Sequence, residues 1–125
     1  FALDFSDEIP PTQSQTITLS NIDSQKESLM LEWSLSPDKD VDYYNIYFST
    51  SQIVAIDLLT PLTFVASSDT SFEIKHYLEK GLKHKIEDGK EYYATVIPVD
   101  NSNNYMRSEI NTAYGISSDD ISIII

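Results

Sequence analysis

The 125-residue chain contains no cysteine, only three glycines and only eight basic residues. Without cysteine it can form neither a disulfide framework nor a thiolate metal site. Three scattered glycines do not supply the glycine-rich loop that cradles a phosphate. Twenty acidic residues leave a net charge of −12, and an acidic surface repels nucleic-acid backbones. We therefore expect no nucleic-acid partner.

Catalytic motifs and long apolar runs are also missing from the sequence. It has no G-x-S-x-G, no P-loop and no H-E-x-x-H motif. His76 and His84 are eight residues apart, so they cannot form an i, i+4 metal pair on one helix. No apolar run reaches 18 residues, the length that indicates a membrane span. We expect no enzyme, no cofactor and no membrane insertion.

The pattern that the chain does have is alternation of apolar and polar residues. In "LMLEWSL" the residues Leu29, Leu31, Trp33 and Leu35 share one face, as in a half-buried strand. Such alternation, in about seven short segments separated by turn-forming residues, predicts an all-β fold, a seven-stranded two-sheet antiparallel β-sandwich. The seven segments are 16–22, 29–35, 42–49, 62–66, 71–74, 91–99 and 108–114.

Two segments depart from the alternation. Residues 51–60, "SQIVAIDLLT", are apolar in clusters and fit either a short helix or an extension of a strand. In residues 75–86, Leu78, Leu82 and Ile86 are spaced four apart, which fits a short amphipathic helix or a turn.

Several specific motifs occur in order along the chain from about Pro10 to Tyr114. A proline-marked first strand, "IPPTQSQTITL", is followed by L-x-W in "LEW" and by Y-x-I-Y in "YNIY". The most specific motif is a tyrosine corner, an apolar residue six positions before a tyrosine, here "IEDGKEY" from Ile86 to Tyr92. Together these motifs resemble those of fibronectin type III domains.

The resemblance implies an immunoglobulin-like sandwich of fibronectin type III topology. It assigns structural roles to Trp33 and Tyr44 in the core and to Ile86 and Tyr92 at the corner. The Tyr92 hydroxyl is then expected to bind backbone in the turn before it. Pro98 stands where a small residue is common, so we expect the strand to end, bulge or lie at an edge there.

The ends of the chain differ from the central segment. We expect residues 1–9 to be an extension or linker, 10–116 to be the fibronectin type III-like domain, and 117–125 to be a second extension. The terminal run "ISIII" is β-prone and apolar, so it is a candidate extra or donated strand. The start at Phe1, without methionine, suggests a piece of a larger protein.

Asp38, Asp40 and Asp42 alternate in "SPDKDVDYYNIYFS", as ligands do at the start of a calcium loop. An EF-hand loop that began at Asp38 would need glycine at its sixth position and glutamate at its twelfth. The chain has Tyr43 and Ser49 there. The sequence therefore favours a turn with satisfied backbone amides over a metal site.

Tyr43, Tyr47 and Tyr93 are the best ligand-site candidates, because alternation puts all three on the outer face of one sheet. An exposed row of aromatic rings can stack on sugars or form a protein interface. The alternative is that the 51–60 segment covers them.

Five of the eight basic residues are lysines between positions 75 and 90: Lys75, Lys80, Lys83, Lys85 and Lys90. They are either a docking patch for an acidic neighbour domain or anionic glycan, or an ordinary solvated loop.

The function that these features favour is a non-catalytic structural or interaction module, a spacer, in a larger secreted or cell-surface multidomain protein. Its partners would be neighbouring domains of the same chain, another protein or a glycan. Two alternatives remain: a carbohydrate-binding accessory module of an extracellular enzyme, and a surface or filament subunit that self-assembles through its terminal strands, "FALDF" or "ISIII".

Overall fold

The backbone forms nine antiparallel strands within the residues that the computed structural model describes, which are 9–13, 16–22, 25–57, 59–87, 89–106 and 110–116. The terminal runs "FALDF" and "ISIII" lie outside them. The strands are β1 (Ile17–Ile22), β2 (Gln25–Trp33), β3 (Val41–Ser49), β4 (Thr63–Ala66), β5 (Ser71–Ile74), β6 (His76–Glu79), β7 (Leu82–Lys85), β8 (Glu91–Asp100) and β9 (Ala113–Ile116).

Two sheets form a sandwich, which confirms the predicted fold class. One sheet has the order β1–β2–β5 and the other β4–β3–β8–β9. Apolar side chains from both sheets join in one buried cluster, to which Leu31 and Ile74 contribute from the first sheet and Ile46 and Val96 from the second. No helix within the described ranges is long and apolar enough to cross a membrane.

The strand count differs from seven because residues 76–85 form a β-hairpin, β6–β7. The helix considered for this segment is therefore wrong. Lys80 and Gly81 join the two strands with positive φ angles of 55° and 79°. Two consecutive residues with positive φ angles make a tight hairpin turn whose twist matches that of the flanking strands.

The described residues of the 51–60 segment, 51–57 and 59–60, form neither a helix nor a strand extension. They form an irregular segment, here called the insert, with a turn closed by a 3.0 Å hydrogen bond from the Leu59 N–H to the Ile56 carbonyl. Ile53 and Ile56 are buried although the segment lacks regular structure. The insert therefore packs through a few apolar side chains rather than through a hydrogen-bond ladder.

Trp33 and Tyr44 lie together in the sandwich core. Trp33 is buried, and its ring centroid is 6.0 Å from that of Tyr44. The Tyr44 hydroxyl accepts a 2.8 Å hydrogen bond from the Ser36 N–H, which fixes the start of the turn between β2 and β3. Burial raises the pKa of Tyr44, and the Ser36 hydrogen bond opposes this shift.

The tyrosine corner lies where the chain enters β8. Ile86 and Tyr92 are both fully buried. The Tyr92 hydroxyl accepts a 2.9 Å hydrogen bond from the Glu87 N–H, the contact that the motif implies. Its ring stacks on Phe48 at 5.1 Å and meets Tyr77 of the hairpin at 5.6 Å. The corner thus anchors the hairpin to the core.

Pro98 is tolerated inside β8 because the strand has few partners there. β9 pairs with Glu91–Ala94, so among the described residues β3 is the strand that pairs with β8 at Pro98. The register between β3 and β8 shifts between Val41 and Tyr43, beyond the regular Tyr44–Pro98 pair. The strand therefore neither ends nor bulges at Pro98, but it lies at a local edge of the sheet there, one of the expected alternatives.

The chain enters and leaves the sandwich at opposite ends. β1 begins opposite Trp33, beside the turn of residues 34–40; we call this the entry end. β3 runs away from it and ends at Ser49, opposite Tyr93. β9 ends near there, with Ile116 paired to Glu91. The hairpin β6–β7 follows β5 on this same side, the exit end.

Candidate interaction surfaces

Tyr43, Tyr47 and Tyr93 all lie on the outer face of the β4–β3–β8–β9 sheet. Their neighbours in sequence, such as Tyr44 and Tyr92, point into the core. Tyr47 and Tyr93 instead join a second apolar cluster on the other side of the sheet. Alternation along β3 and β8 thus puts these rings on the face that the sequence predicts.

Tyr47 is covered by the insert. Its side chain is only 4% exposed and packs in the second cluster with Ile53 and Ile56 of the insert and Ile97 of β8. The sequence leaves two alternatives open, an exposed row of rings or burial beneath residues 51–60. For Tyr47 the structure shows burial. A stacking platform built on all three tyrosines is therefore not present.

Tyr43 and Tyr93 are too far apart to act on one sugar ring. Tyr43 is paired with Val99 and Tyr93 with Ser49, six residues farther along β3. At about 3.3 Å per residue, they are about 20 Å apart. A ligand-binding role for either ring stays a prediction, and each must be considered with its own neighbours.

Each of these two tyrosines has an aromatic partner on an edge strand. The Tyr43 ring meets Phe64 of β4 at 5.6 Å in an edge-to-face arrangement. The Tyr93 ring meets Tyr114 of β9 at 5.4 Å. Phe64 is 68% exposed, and Tyr114 is also exposed. The outer face thus carries two aromatic pairs, separated by the part that the insert covers.

Phe64 is a residue that the sequence reasoning did not single out. The signal was present in "LTFVA", where period two puts Phe64 on the opposite face from Val65. The missing information was the pairing of β4 with β3. That pairing puts Phe64 opposite Asn45, diagonal to Tyr43 and on the same face.

The three aspartates lie in and just after the turn at the entry end. Asp38 accepts a 2.5 Å hydrogen bond from the Thr12 N–H, while Asp40 and Asp42 are exposed. In the described part of the chain, no group of three or more His, Cys, Asp or Glu side chains could hold a metal ion. Asp38 therefore attaches the incoming chain to the turn.

Asp100 has a similar structural role in the "DNSNN" loop. Its buried carboxylate accepts hydrogen bonds from the N–H groups of Ser102, at 2.9 Å, and Asn104, at 2.8 Å. Satisfied amides of this kind stabilise a polar turn.

The hairpin borders a groove of about 420 Å³ at the exit end. Its lining includes Leu78 and Lys80 of the hairpin, residues 59–62, and the buried side chain of Phe48. The lysines at positions 75, 80, 83 and 85 are all exposed along the hairpin. Lys75 makes a marginal 4.0 Å contact with Glu73. Of these lysines only Lys80 lines the groove, and the rest of the lining is mostly apolar.

No protein-family model matches the sequence, and no curated protein sequence matches it. Several solved structures, in contrast, are similar to this chain. FN3tt is 15% identical with a TM-score of 0.60, and the match covers 88% of this chain and 97% of FN3tt. An Fn3-like protein from Clostridium thermocellum is 20% identical with a TM-score of 0.59, covering 86% and 93%.

A third similar structure is the pectate lyase Pel3 from Pectobacterium carotovorum, with 21% identity and a TM-score of 0.52. The match covers 78% of this chain but only 26% of the lyase. At such identities the likeness concerns the fold alone. The chain has a fibronectin type III-like fold, as its motifs predict.

Proposed function

We propose that this chain is a non-catalytic interaction or spacer module of a larger secreted or cell-surface protein. The observation that carries the proposal is the path of the chain, which enters at one end of the sandwich and leaves at the other. A domain with this path can stand in line between two neighbours. The aromatic and aliphatic side chains that fill its interior leave the sandwich suited to binding through its surface.

The solved structures support a modular role. Fibronectin type III domains are usually non-catalytic, and some similar structures are enzymes in which the matched part is a fraction of the chain, 26% for the pectate lyase. Fold likeness does not transfer function. It does agree with a chain that serves a larger protein.

The reading frame that encodes this chain tests the proposal. We expect it to continue into further domains and to begin with a secretion signal. A reading frame of about 125 codons that starts with its own methionine and lacks a signal would overturn the proposal.

Carbohydrate binding is the second candidate, and the pair of half-buried Tyr43 and exposed Phe64 favours it. An aromatic ring with one free face can stack on a sugar ring, and a second ring packed edge to face fixes its position. The similarity to domains of carbohydrate-active enzymes, the pectate lyase among them, fits this use.

Binding to a panel of polysaccharides tests this second candidate. We expect Phe64→Ala to weaken binding about tenfold, the loss of roughly 1.4 kcal/mol of stacking. The matched control is Val54→Ser, which changes another exposed apolar residue on the insert, away from the pair. No binding to any polysaccharide, or equal binding by both variants, would contradict a sugar site at Tyr43 and Phe64.

A further inference from the structure

The hairpin concentrates positive charge on a chain that is otherwise acidic. Residues 75–85 contain four of the eight basic residues and a single acid, Glu79. Strand pairing puts Leu78 and Lys83 directly opposite each other, so they share one face of the hairpin with Lys85. Glu79 pairs with Leu82 and therefore lies on the other face. We call the face of Leu78, Lys83 and Lys85, with Lys80 at the turn, the basic hairpin face.

This face also presents apolar surface. Leu78 is 61% exposed and borders the 420 Å³ groove, whose lining includes Leu59, Leu62 and Phe48. Lys80 lines this groove, and Lys83 and Lys85 lie outside it on the hairpin face that Leu78 shares. Apolar side chains beside lysines fit a partner that presents an apolar side chain among carboxylates.

The entry end of the same chain presents such a surface. Leu35 is 48% exposed at the start of the turn between β2 and β3. Asp38, Asp40 and Asp42 follow it, with Lys39 as the one cation among them. We call Leu35 and these aspartates the acidic tip. It lies at the opposite end of the sandwich from the hairpin.

We propose that a second copy of this chain docks head to tail, with the acidic tip of one copy in the groove beside the basic hairpin face of the next. Leu35 then contacts the apolar lining near Leu78, and Asp40 and Asp42 lie near Lys83 and Lys85. Because the two surfaces are different and lie at opposite ends of one molecule, the contact is heterologous and can repeat along a row of copies.

A polyanionic glycan fits the same surface less well. Its negative groups would pair with Lys80, Lys83 and Lys85, but it offers nothing apolar to cover Leu78 and the groove lining. The acidic tip supplies both carboxylates and a leucine. We therefore infer a second copy as the occupant, because it matches this surface both in charge and in apolar contact.

The contact is expected to be weak. A tip and a groove of this size bury less surface than the roughly 1,200–2,000 Å² of a stable interface. The net charge of −12 also opposes association in solution. Association is therefore best measured at high protein concentration, where mass action favours it, and its charge component by varying the salt.

Two charge-reversed variants test the proposal by sedimentation velocity on the full chain. Lys83→Glu with Lys85→Glu makes the hairpin face acidic, and Asp40→Lys with Asp42→Lys makes the tip basic. We expect each variant alone to associate at least about tenfold more weakly than the wild-type chain. An equal mixture of the two should associate again, because each basic surface then meets an acidic one.

Controls separate this contact from general charge effects. Glu32→Lys with Asp57→Lys makes the same change in net charge as Asp40→Lys with Asp42→Lys, at exposed positions that belong to neither surface, and it should associate at least as well as wild type. Leu35→Ser should weaken association without lowering the midpoint of thermal unfolding. Equal far-UV circular dichroism spectra of all variants will show that each is folded.

A wild-type chain that stays monomeric at every salt concentration would overturn the proposal. So would a mixture of the charge-reversed variants that associates no better than either variant alone. Neither result affects the proposed module function, which depends on the reading frame and not on self-association.

Discussion

The two faces of the β4–β3–β8–β9 sheet carry two hydrophobic clusters of different origin. The inner cluster fills the sandwich and contains Trp33, Tyr44 and Tyr92, which come from alternating strands of both sheets. The outer cluster joins Tyr47 of the sheet to Ile56 of the insert, a segment without regular structure. One face is covered by a second sheet and the other by a loop.

The difference shows how an outward aromatic residue should be interpreted. Alternation predicts which face a side chain lies on, but not what covers that face. Tyr43 and Tyr47 share a face and differ in exposure because the insert reaches only Tyr47. A row of outward tyrosines is therefore a candidate binding surface only after the path of the nearby loops is known.

Removal of the largest inner side chain should have the largest effect. We expect Trp33→Ala to lower the free energy of unfolding by about 3–5 kcal/mol, since it deletes an indole from a buried site. Urea unfolding followed by circular dichroism at 222 nm measures the loss. A loss below 1 kcal/mol would mean that the inner cluster does not hold the two sheets together.

The corresponding change in the outer cluster should cost less. We expect Ile56→Ala to lower the free energy of unfolding by about 2 kcal/mol, at the low end for such a truncation, because the irregular insert can partly collapse onto the space. Val54→Ala is the control, since Val54 is exposed on the same segment and should change stability by less than about 0.5 kcal/mol. Equal losses for Trp33→Ala and Ile56→Ala would remove the distinction between the clusters.

The inner cluster was more accessible to sequence reasoning than the outer one. Period two along 42–49 separated Tyr44 from Tyr43 and Tyr47, and the I-x5-Y spacing located the corner at Tyr92. The hairpin was not predicted because its turn residues are Lys80 and Gly81, whereas Asn-Gly or Asp-Gly usually marks such a turn. The four-residue spacing of Leu78, Leu82 and Ile86 indicated a helix instead. The segment has too few β-branched and aromatic residues for its composition to indicate strands.

The candidate sites were less predictable, because they depend on which strands are neighbours. Tyr43 and Tyr93 share a face in the sequence pattern, but only the register puts them about 20 Å apart. The partnership of Tyr43 with Phe64 depends on the position of β4 beside β3. The groove depends on how the hairpin packs against residues 59–62. Pairing between distant segments is not encoded in local periodicity.

A smaller change compares two neighbouring tyrosines on opposite faces of β8. Tyr92→Phe removes the hydroxyl that accepts the Glu87 N–H, so we expect a loss of about 1 kcal/mol in the free energy of unfolding. Tyr93→Phe is the matched control on the outer face and should stay within about 0.5 kcal/mol of wild type. If both variants were equally stable, the corner hydrogen bond would contribute nothing measurable.

The smallest expected effect is a loss of stability at alkaline pH, and its cause is the burial of tyrosines in the inner cluster. Burial raises the pKa of Tyr44, Tyr77 and Tyr92 above the ordinary tyrosine value of 10.0, so the folded state favours the neutral phenol. The unfolded chain ionises first, so the stabilisation is complete only well below pH 10 and declines as the pH rises through 10 toward the folded pKa. At pH 10 the loss is at most about 0.4 kcal/mol for each tyrosine.

Urea unfolding at pH 8, 9, 10 and 10.5 measures this decline. Tyr92→Phe removes one of the three groups, so its stability should fall less steeply with pH than that of the wild-type chain. Ile56→Ala lies in the outer cluster and removes no phenol, so it should keep the wild-type slope although it is less stable. A Tyr92→Phe slope equal to that of Ile56→Ala would show that the buried phenol at the corner does not cause the alkaline loss.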